Sequence, residues 1–222
     1  GSAFADTLDG GAGVDKLLAG SGNDTYIVDI TATGTLQDTV TESGTDTNDN
    51  LILRGSSTNT TAVTLTLATA LENLDASATG SSLLNLTGNA SANTLTGNAA
   101  ANTINGMAGN DWLFGGAGKD TLDGGTGNDV FAYSASTQSD RATTDVIKNI
   151  DFGGLGLATA VDRFHFDGLN ITKATLLNNV STNAMNTLAA LQNTLSFMTT
   201  GEAVLMNVTS GVGVGTYLFV EA

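Results

Sequence analysis

The chain contains no cysteine and no proline, and only 7 basic residues stand against 22 acidic ones. Without cysteine no disulfide staples the fold, so a chain exposed to an oxidising exterior needs another staple. Many glycines (28) without proline point to regular tight turns rather than a proline-rich linker. A net charge of −15 repels nucleic acid and anionic membrane surfaces and attracts cations. Carboxylates crowded without bases also repel one another, which ties folding to a counter-ion. Aromatic residues are 5% of the chain, so Leu, Ile, Val and Ala must build the core. No apolar run approaches the ~18 residues of a membrane-spanning helix, so no membrane insertion is expected. No signal peptide opens the chain, and Gly1-Ser2 reads as a vector-derived remnant of a fragment cut from something longer.

What is present is a repeat of nine. Gly10 to Leu18 and Ala19 to Ile27 are consecutive copies, and Asp6-Thr7-Leu8-Asp9 precedes them in phase. The period returns at Gly88 and runs to Ala132 in five copies, the last two beginning Gly115-Gly116-Ala117-Gly118-Lys119-Asp120 and Gly124-Gly125-Thr126-Gly127-Asn128-Asp129. The first six positions of a full copy, Gly-Gly-x-Gly-x-Asp, form a turn in which glycine permits positive φ. The last three form a short strand with an inward residue at position eight. That residue is Leu8, Leu17, Tyr26, Leu95, Ile104, Leu113, Leu122 or Phe131, apolar every time. Two copies make one coil, so turns eighteen residues apart stack on one edge, Asp6 on Asp24 and Asp111 on Asp129. Calcium takes six to eight oxygens, and facing carboxylates with turn carbonyls supply them.

Four regions follow: a first array over 1–27, irregular β-solenoid coils over 28–87, a second array over 88–132 and a capping region over 133–222. In the irregular coils, Val63-Thr64-Leu65-Thr66-Leu67 alternates as a strand does, and Leu71, Leu74, Leu83, Leu84 and Leu86 are expected to carry the core onward. In the cap, Ser134 to Thr144 reads as a loop. Asp145 to Phe152, Val161 to Phe166, Glu202 to Asn207 and Thr216 to Val220 read as strands, and Gly211 to Gly215 as a turn. Leu188, Leu191, Leu195 and Met198 share helical spacing over Asn186 to Met198.

These tandem nonapeptides resemble the RTX family of hemolysin-type calcium-binding repeats; in the tail, Phe131-Ala132-Tyr133-Ser134 and Asp145-Val146-Ile147 resemble the regions that follow such repeats, and Gly215 to Val220 a strand near the C-terminal ends of those proteins. The resemblance implies an all-β fold: a right-handed parallel β-roll or β-solenoid, with a C-terminal mainly β cap carrying one short helix. It also implies Ca²⁺ as the bound ion. Family sites imply ligands from positions two, four and six of one turn and one, three and six of the turn two copies later, with only position six using its side chain. Met107, Gly109 and Asp111 with Gly124, Thr126 and Asp129 then form the best site. Asn98, Ala100 and Asn102 with Gly115, Ala117 and Asp120 form a second of lower charge, and Ser2, Phe4 and Asp6 with Ala19, Ser21 and Asp24 a third. Asp15 has Thr33 eighteen residues on, so Gly11, Gly13 and Asp15 must recruit an acid from Asp29, Asp38 or Glu42. Asp120 meets Asp140 or Asp145 on its far side. Asn93 and Asn102 are read as an asparagine ladder that holds coils without metal.

The single histidine, His165, has no Cys or second His for zinc and is read as a strand residue. Trp112, at an outward position seven, is assigned to packing. There is no Gly-x-Ser-x-Gly, no His-Glu-x-x-His and no phosphate loop, so no enzyme is expected. By resemblance the chain is a calcium-responsive module of an exported bacterial protein. It would leave through a type I secretion apparatus unfolded and fold outside the cell. The alternatives are a surface-layer or adhesin segment, with self-assembly or cell-surface contact, and an accessory domain of a secreted hydrolase.

Overall fold

The computed structural model describes residues 1–44, 46–133, 145–149 and 162–166, together with the backbone of strands 173–181, 202–210 and 215–221. In chain order the strands are β1 (Thr7–Asp9), β2 (Lys16–Leu18), β3 (Thr25–Asp29), β4 (Thr39–Thr41), β5 (Asn50–Arg54), β6 (Val63–Thr66), β7 (Asn73–Ala78), β8 (Leu84–Thr87) and β9 (Thr94–Thr96). They continue as β10 (Thr103–Asn105), β11 (Trp112–Phe114), β12 (Thr121–Asp123), β13 (Val130–Tyr133), β14 (Val146–Lys148), β15 (Arg163–Phe166), β16 (Lys173–Ser181), β17 (Glu202–Ser210) and β18 (Gly215–Glu221).

As far as β15, odd and even strands separate into opposite walls. β1, β3, β5, β7, β9, β11, β13 and β15 make one sheet in that order, and every pairing in it is parallel. The other wall runs β6, β8, β10, β12, β14 in parallel, with β2–β4 as a separate parallel pair. This is a parallel β-solenoid, and among the described residues it has no helix. Within the arrays the register steps by the eighteen residues of two copies: Leu8 opposes Tyr26, Leu95 opposes Leu113 and Ile104 opposes Leu122.

Between the arrays the coils lengthen, yet strands still meet in the same order. Tyr26 opposes Leu51, Leu51 opposes Leu74, and Leu74 opposes Leu95. The inward layer therefore runs unbroken through Tyr26, Leu51, Leu74, Leu95, Leu113 and Phe131, all buried. Full burial of such a side chain stabilises by about 1.5–3 kcal/mol, which is what neighbouring coils gain by stacking. Leu71, Leu84 and Leu86 join the core as expected, but Leu83 is only half-buried, because the strand begins at Leu84 and alternation sends Leu84 and Leu86 inward.

At position seven, Trp112 packs edge-on against the exposed His165 (ring centroids 5.1 Å apart) and stacks with Phe114 at 6.2 Å. Position seven is not uniformly outward: Val130, between β11 and β15 in the sheet, is buried.

Downstream of the arrays, β14 extends the even wall and then pairs antiparallel with β18, which pairs antiparallel with β17, itself parallel to β16. Two expected strands shrink to Val146–Lys148 and Arg163–Phe166, while the last two lengthen. The strand Lys173–Ser181 was not expected, because its Asn-rich end masks the alternation. The expected loop Ser134 to Thr144, the helix Asn186 to Met198 and the turn residues 211–214 lie outside the described residues.

Candidate metal sites along two edges

Through β15, every strand except β6 and β8 is preceded directly by an acid or an amide. Stacking the coils stacks these side chains into two ladders. On the edge that feeds the odd strands, the backbone N–H of each rung donates to the carboxylate of the next, except at Glu72, whose N–H donates back to the Asp49 carbonyl. Asp6 donates to Asp24 Oδ1 (2.8 Å), Asp24 to Asp49 Oδ1 (2.6 Å) and Asp49 to Glu72 Oε2 (2.9 Å). After Asn93, whose Nδ2 donates to the Glu72 carbonyl at 3.2 Å, the series resumes. Asn93 donates to Asp111 Oδ1 (2.8 Å), Asp111 to Asp129 Oδ1 (2.9 Å) and Asp129 to Asp162 Oδ1 (2.9 Å). On the opposite edge Asp15 donates to Asp38 Oδ1 (3.0 Å), Asn102 to Asp120 Oδ1 (2.8 Å) and Asp120 to Asp145 Oδ1 (2.8 Å).

One carboxylate oxygen per rung is thus accounted for. The second oxygen is not: Oδ2 of Asp24, Asp38, Asp49, Asp111, Asp120 and Asp129 is buried and has no hydrogen-bond partner among the described residues. A buried carboxylate oxygen left in this state is costly. The strain shows in the acid equilibria. Burial pushes Asp111 and Asp120 up to about 7, and neighbouring Asp129 adds to the effect on Asp111. Burial, reinforced by the Asp120 charge, pushes Asp145 up to about 8, although a hydrogen bond with Tyr133 works against it. Asp129, Asp49 and Glu72 are raised too, again mainly by burial. Asp6, at the open end, is the contrary case: hydrogen bonds from the Ser2 N–H and hydroxyl to its Oδ2 lower it.

The turn backbone completes the oxygen lining. A Cβ on Gly125 would collide with the Met107 carbonyl oxygen, and one on Gly127 with that of Gly109. Carbonyls two and four of one turn therefore press on the next coil, where only glycine, here at φ 91° and 139°, leaves room. The Gly124 carbonyl presses the other way, 2.6 Å from a Cβ on Gly106. The Met107 carbonyl accepts the Thr126 N–H and the Thr126 carbonyl accepts the Gly109 N–H, so each keeps one lone pair. Buried orphan carboxylate oxygens beside crowded carbonyls are the donor set of a hard cation. The residues present fit calcium.

The Asn turns are built differently. Asn93 Oδ1 accepts the Asn89 N–H, and its Nδ2 reaches the Glu72 carbonyl and Asn89 Oδ1. Asn102 Oδ1 accepts the Asn98 N–H, and its Nδ2 donates to the Leu84 carbonyl at 2.7 Å and to Asn98 Oδ1. Both amides are buried and fully engaged.

The structure thus joins Asp6 with Asp24, Asp111 with Asp129, and Asn102 with Asp120. Of the three acids open to Asp15 it pairs Asp38, and Asp120 meets Asp145; Asp140 lies outside the described residues. Gly11 N–H is turned to Asp9 Oδ1, and Ser21 N–H to the Ser2 carbonyl. Sequence reasoning missed Asp49, Glu72 and Asp162. A signal was there: each stands one residue before a strand and two before an apolar residue, in Asp49-Asn50-Leu51, Glu72-Asn73-Leu74 and Asp162-Arg163-Phe164. That triplet repeats Asp6-Thr7-Leu8 without the glycine turn.

Comparison with known families finds the RTX calcium-binding nonapeptide repeat in four copies, over residues 1–26, 85–111 and 96–131. No curated protein matches the chain. The matched spans hold Asp6, Asp24, Asn93, Asn102, Asp111, Asp120 and Asp129; the rungs Asp38, Asp49, Glu72, Asp145 and Asp162 lie outside them.

Proposed function

From a chain that carries four copies of the RTX calcium-binding nonapeptide repeat, we propose that it is a calcium-responsive folding module of a larger exported protein. The repeat is a structural calcium-binding unit, and the solenoid is what it builds. The observation that carries the proposal is the row of buried, partnerless Oδ2 atoms on Asp111, Asp120 and Asp129. Bound calcium would supply a positive charge to those oxygens and turn repulsion between stacked rungs into attraction. Asp111 and Asp129 would hold it with the carbonyls of Met107, Gly109, Gly124 and Thr126; Asp120 would do so with those of Gly115 and Ala117, and Asp145 beyond it. Asp24 with Ser21, and Asp15 with Gly11 and Gly13, would do so in the first array.

A chain whose rungs repel is less stable where calcium is scarce, as the cell interior is, and is held closed where calcium is abundant. That behaviour suits export through a type I secretion channel followed by folding outside, with calcium as the staple that cysteine does not provide. No catalytic role is proposed.

Calcium titration followed by circular dichroism and thermal melting tests this. Each ion at a hundred times its dissociation constant adds about 2.7 kcal/mol, so several sites should raise the melting temperature by ~10 °C or more and increase the β signal. The same spectrum and melting curve in EDTA and in millimolar calcium would refute the module.

A further inference from the structure

We infer that Asp24, Glu42 and Asp49 hold a calcium ion in a site completed by the irregular coil, not by a second nonapeptide. The nonapeptide rule needs a glycine turn that ends in an acid eighteen residues beyond Asp24. The chain has Glu42 at that offset, but it follows directly on β4 and no glycine stands in the five residues before it. The next odd strand, β5, is entered instead through Asp49, twenty-five residues on. Folding nevertheless brings one carboxylate oxygen from each of Asp24, Glu42 and Asp49 within 4.8 Å of one another.

Two further observations point to a ligand there. Asp24 and Asp49 are both 0% exposed, and each has one oxygen committed to the ladder and one, Oδ2, with no partner among the described residues. Glu42 is held in place from both sides: Oε1 accepts the N–H groups of Ser43 (2.6 Å) and Gly44 (2.7 Å), and Oε2 accepts the hydroxyl of the buried Tyr26 (2.5 Å). The same hydroxyl accepts the Ala19 N–H, which leaves its own proton for Glu42. Around Gly44 the backbone opens onto oxygen: a Cβ there would run into Asp46 Oδ2 and would meet the Gly20 carbonyl at 3.0 Å and Glu42 Oε1 at 3.2 Å.

The donor set selects the ion. It is all oxygen, with three carboxylates, which disfavours zinc. Calcium takes six to eight oxygens in flexible geometry, which carboxylates from three separate segments can offer, whereas magnesium demands a near-ideal octahedron and keeps several of its waters. An ion here would clamp the seam where the coil lengthens from eighteen residues to twenty-five. Its existence does not depend on the nonapeptide turns of the second array being metal sites.

The test uses the full chain and two readouts. Calcium stoichiometry is measured by titration calorimetry for the parent, Glu42→Gln and Asp111→Asn proteins. Terbium emission excited through tyrosine is measured in a Trp112→Phe background, with and without Tyr26→Phe. The site predicts that Glu42→Gln binds one calcium fewer and that Tyr26→Phe removes a calcium-displaceable part of the terbium emission, while Asp111→Asn leaves that part in place. Unchanged stoichiometry in a folded Glu42→Gln protein would overturn it. If circular dichroism shows Glu42→Gln unfolded, the milder Tyr26→Phe decides, and equal displaceable emission with and without Tyr26 would overturn it. A chain that loses calcium at Asp111 and Asp120 but keeps the Glu42-dependent ion would refute the repeat reading and leave this site standing.

Discussion

Residues 88–105 and 106–132 share a register, a turn length and an inward layer, and differ at position six. In the first stretch Asn93 and Asn102 donate to carbonyls of the preceding coil and accept an N–H of their own turn, so each turn closes with its own atoms. In the second, Asp111, Asp120 and Asp129 accept one N–H each and leave Oδ2 buried without a partner. The difference between amide and carboxylate is one NH₂ group, with its two donors, and one charge. It separates a turn whose buried amide is fully hydrogen-bonded from one that leaves a buried carboxylate oxygen without a partner among the described residues. On the shared edges the Asn93 and Asn102 N–H groups donate to Oδ1 of Asp111 and Asp120, so the amide coils pack directly onto the carboxylate coils.

The sharpest way to break this comparison is a pair of truncations. Asp129→Ala should cut the calcium-induced gain by about 3 kcal/mol, the contribution of one well-occupied site. Asn93→Ala should leave that gain intact and instead destabilise the protein in EDTA by about 1–3 kcal/mol, since buried partners lose their hydrogen bonds. Melting curves with and without calcium read both; the reverse order would dissolve the distinction.

Acidity gives the next effect. Asp111, Asp120 and Asp145 have values of about 7, 7 and 8 in the metal-free fold, above the ordinary value of 3.8. The folded form then holds protons that the unfolded form has lost, so stability in EDTA should fall as pH rises from about 4 to about 8. With calcium the sign reverses, because the ion displaces those protons, and affinity should climb through the same window. A metal-free melting temperature that increases from pH 4 to pH 8 would contradict this.

A smaller effect tests whether one rung can be moved from one class to the other. Asp111→Asn should raise the melting temperature in EDTA by a few degrees and reduce the response to calcium. The smallest concerns Met107, whose φ of 81° occupies the left-handed region that glycine fills at Gly116 and Gly125. Met107→Gly should stabilise by about 1 kcal/mol in either condition, measurable by urea unfolding.

Most of the solenoid was legible because the nonapeptide encodes it locally. Glycine at fixed offsets makes the turn, and an apolar residue at position eight makes the layer, so phase alone predicts that Leu95 stacks on Leu113. The site was legible only where two copies stand eighteen residues apart. Asp15 illustrates the limit: the acid that meets it, Asp38, is twenty-three residues away, and nothing in the spacing chose it over Asp29 or Glu42. The rungs Asp49, Glu72 and Asp162 escaped because they keep the acid-x-apolar triplet but lack the glycines that make it visible.

The sequence by itself determined the period, the inward layer and the division into carboxylate and amide turns, because each depends on residues no more than nine apart. The tertiary structure decided which acids face one another once the coils lengthen. Strand pairing aligns turns by sheet register, whatever length of chain loops out between them. That is how Glu42, which no repeat predicts, comes to lie against Asp24 and Asp49.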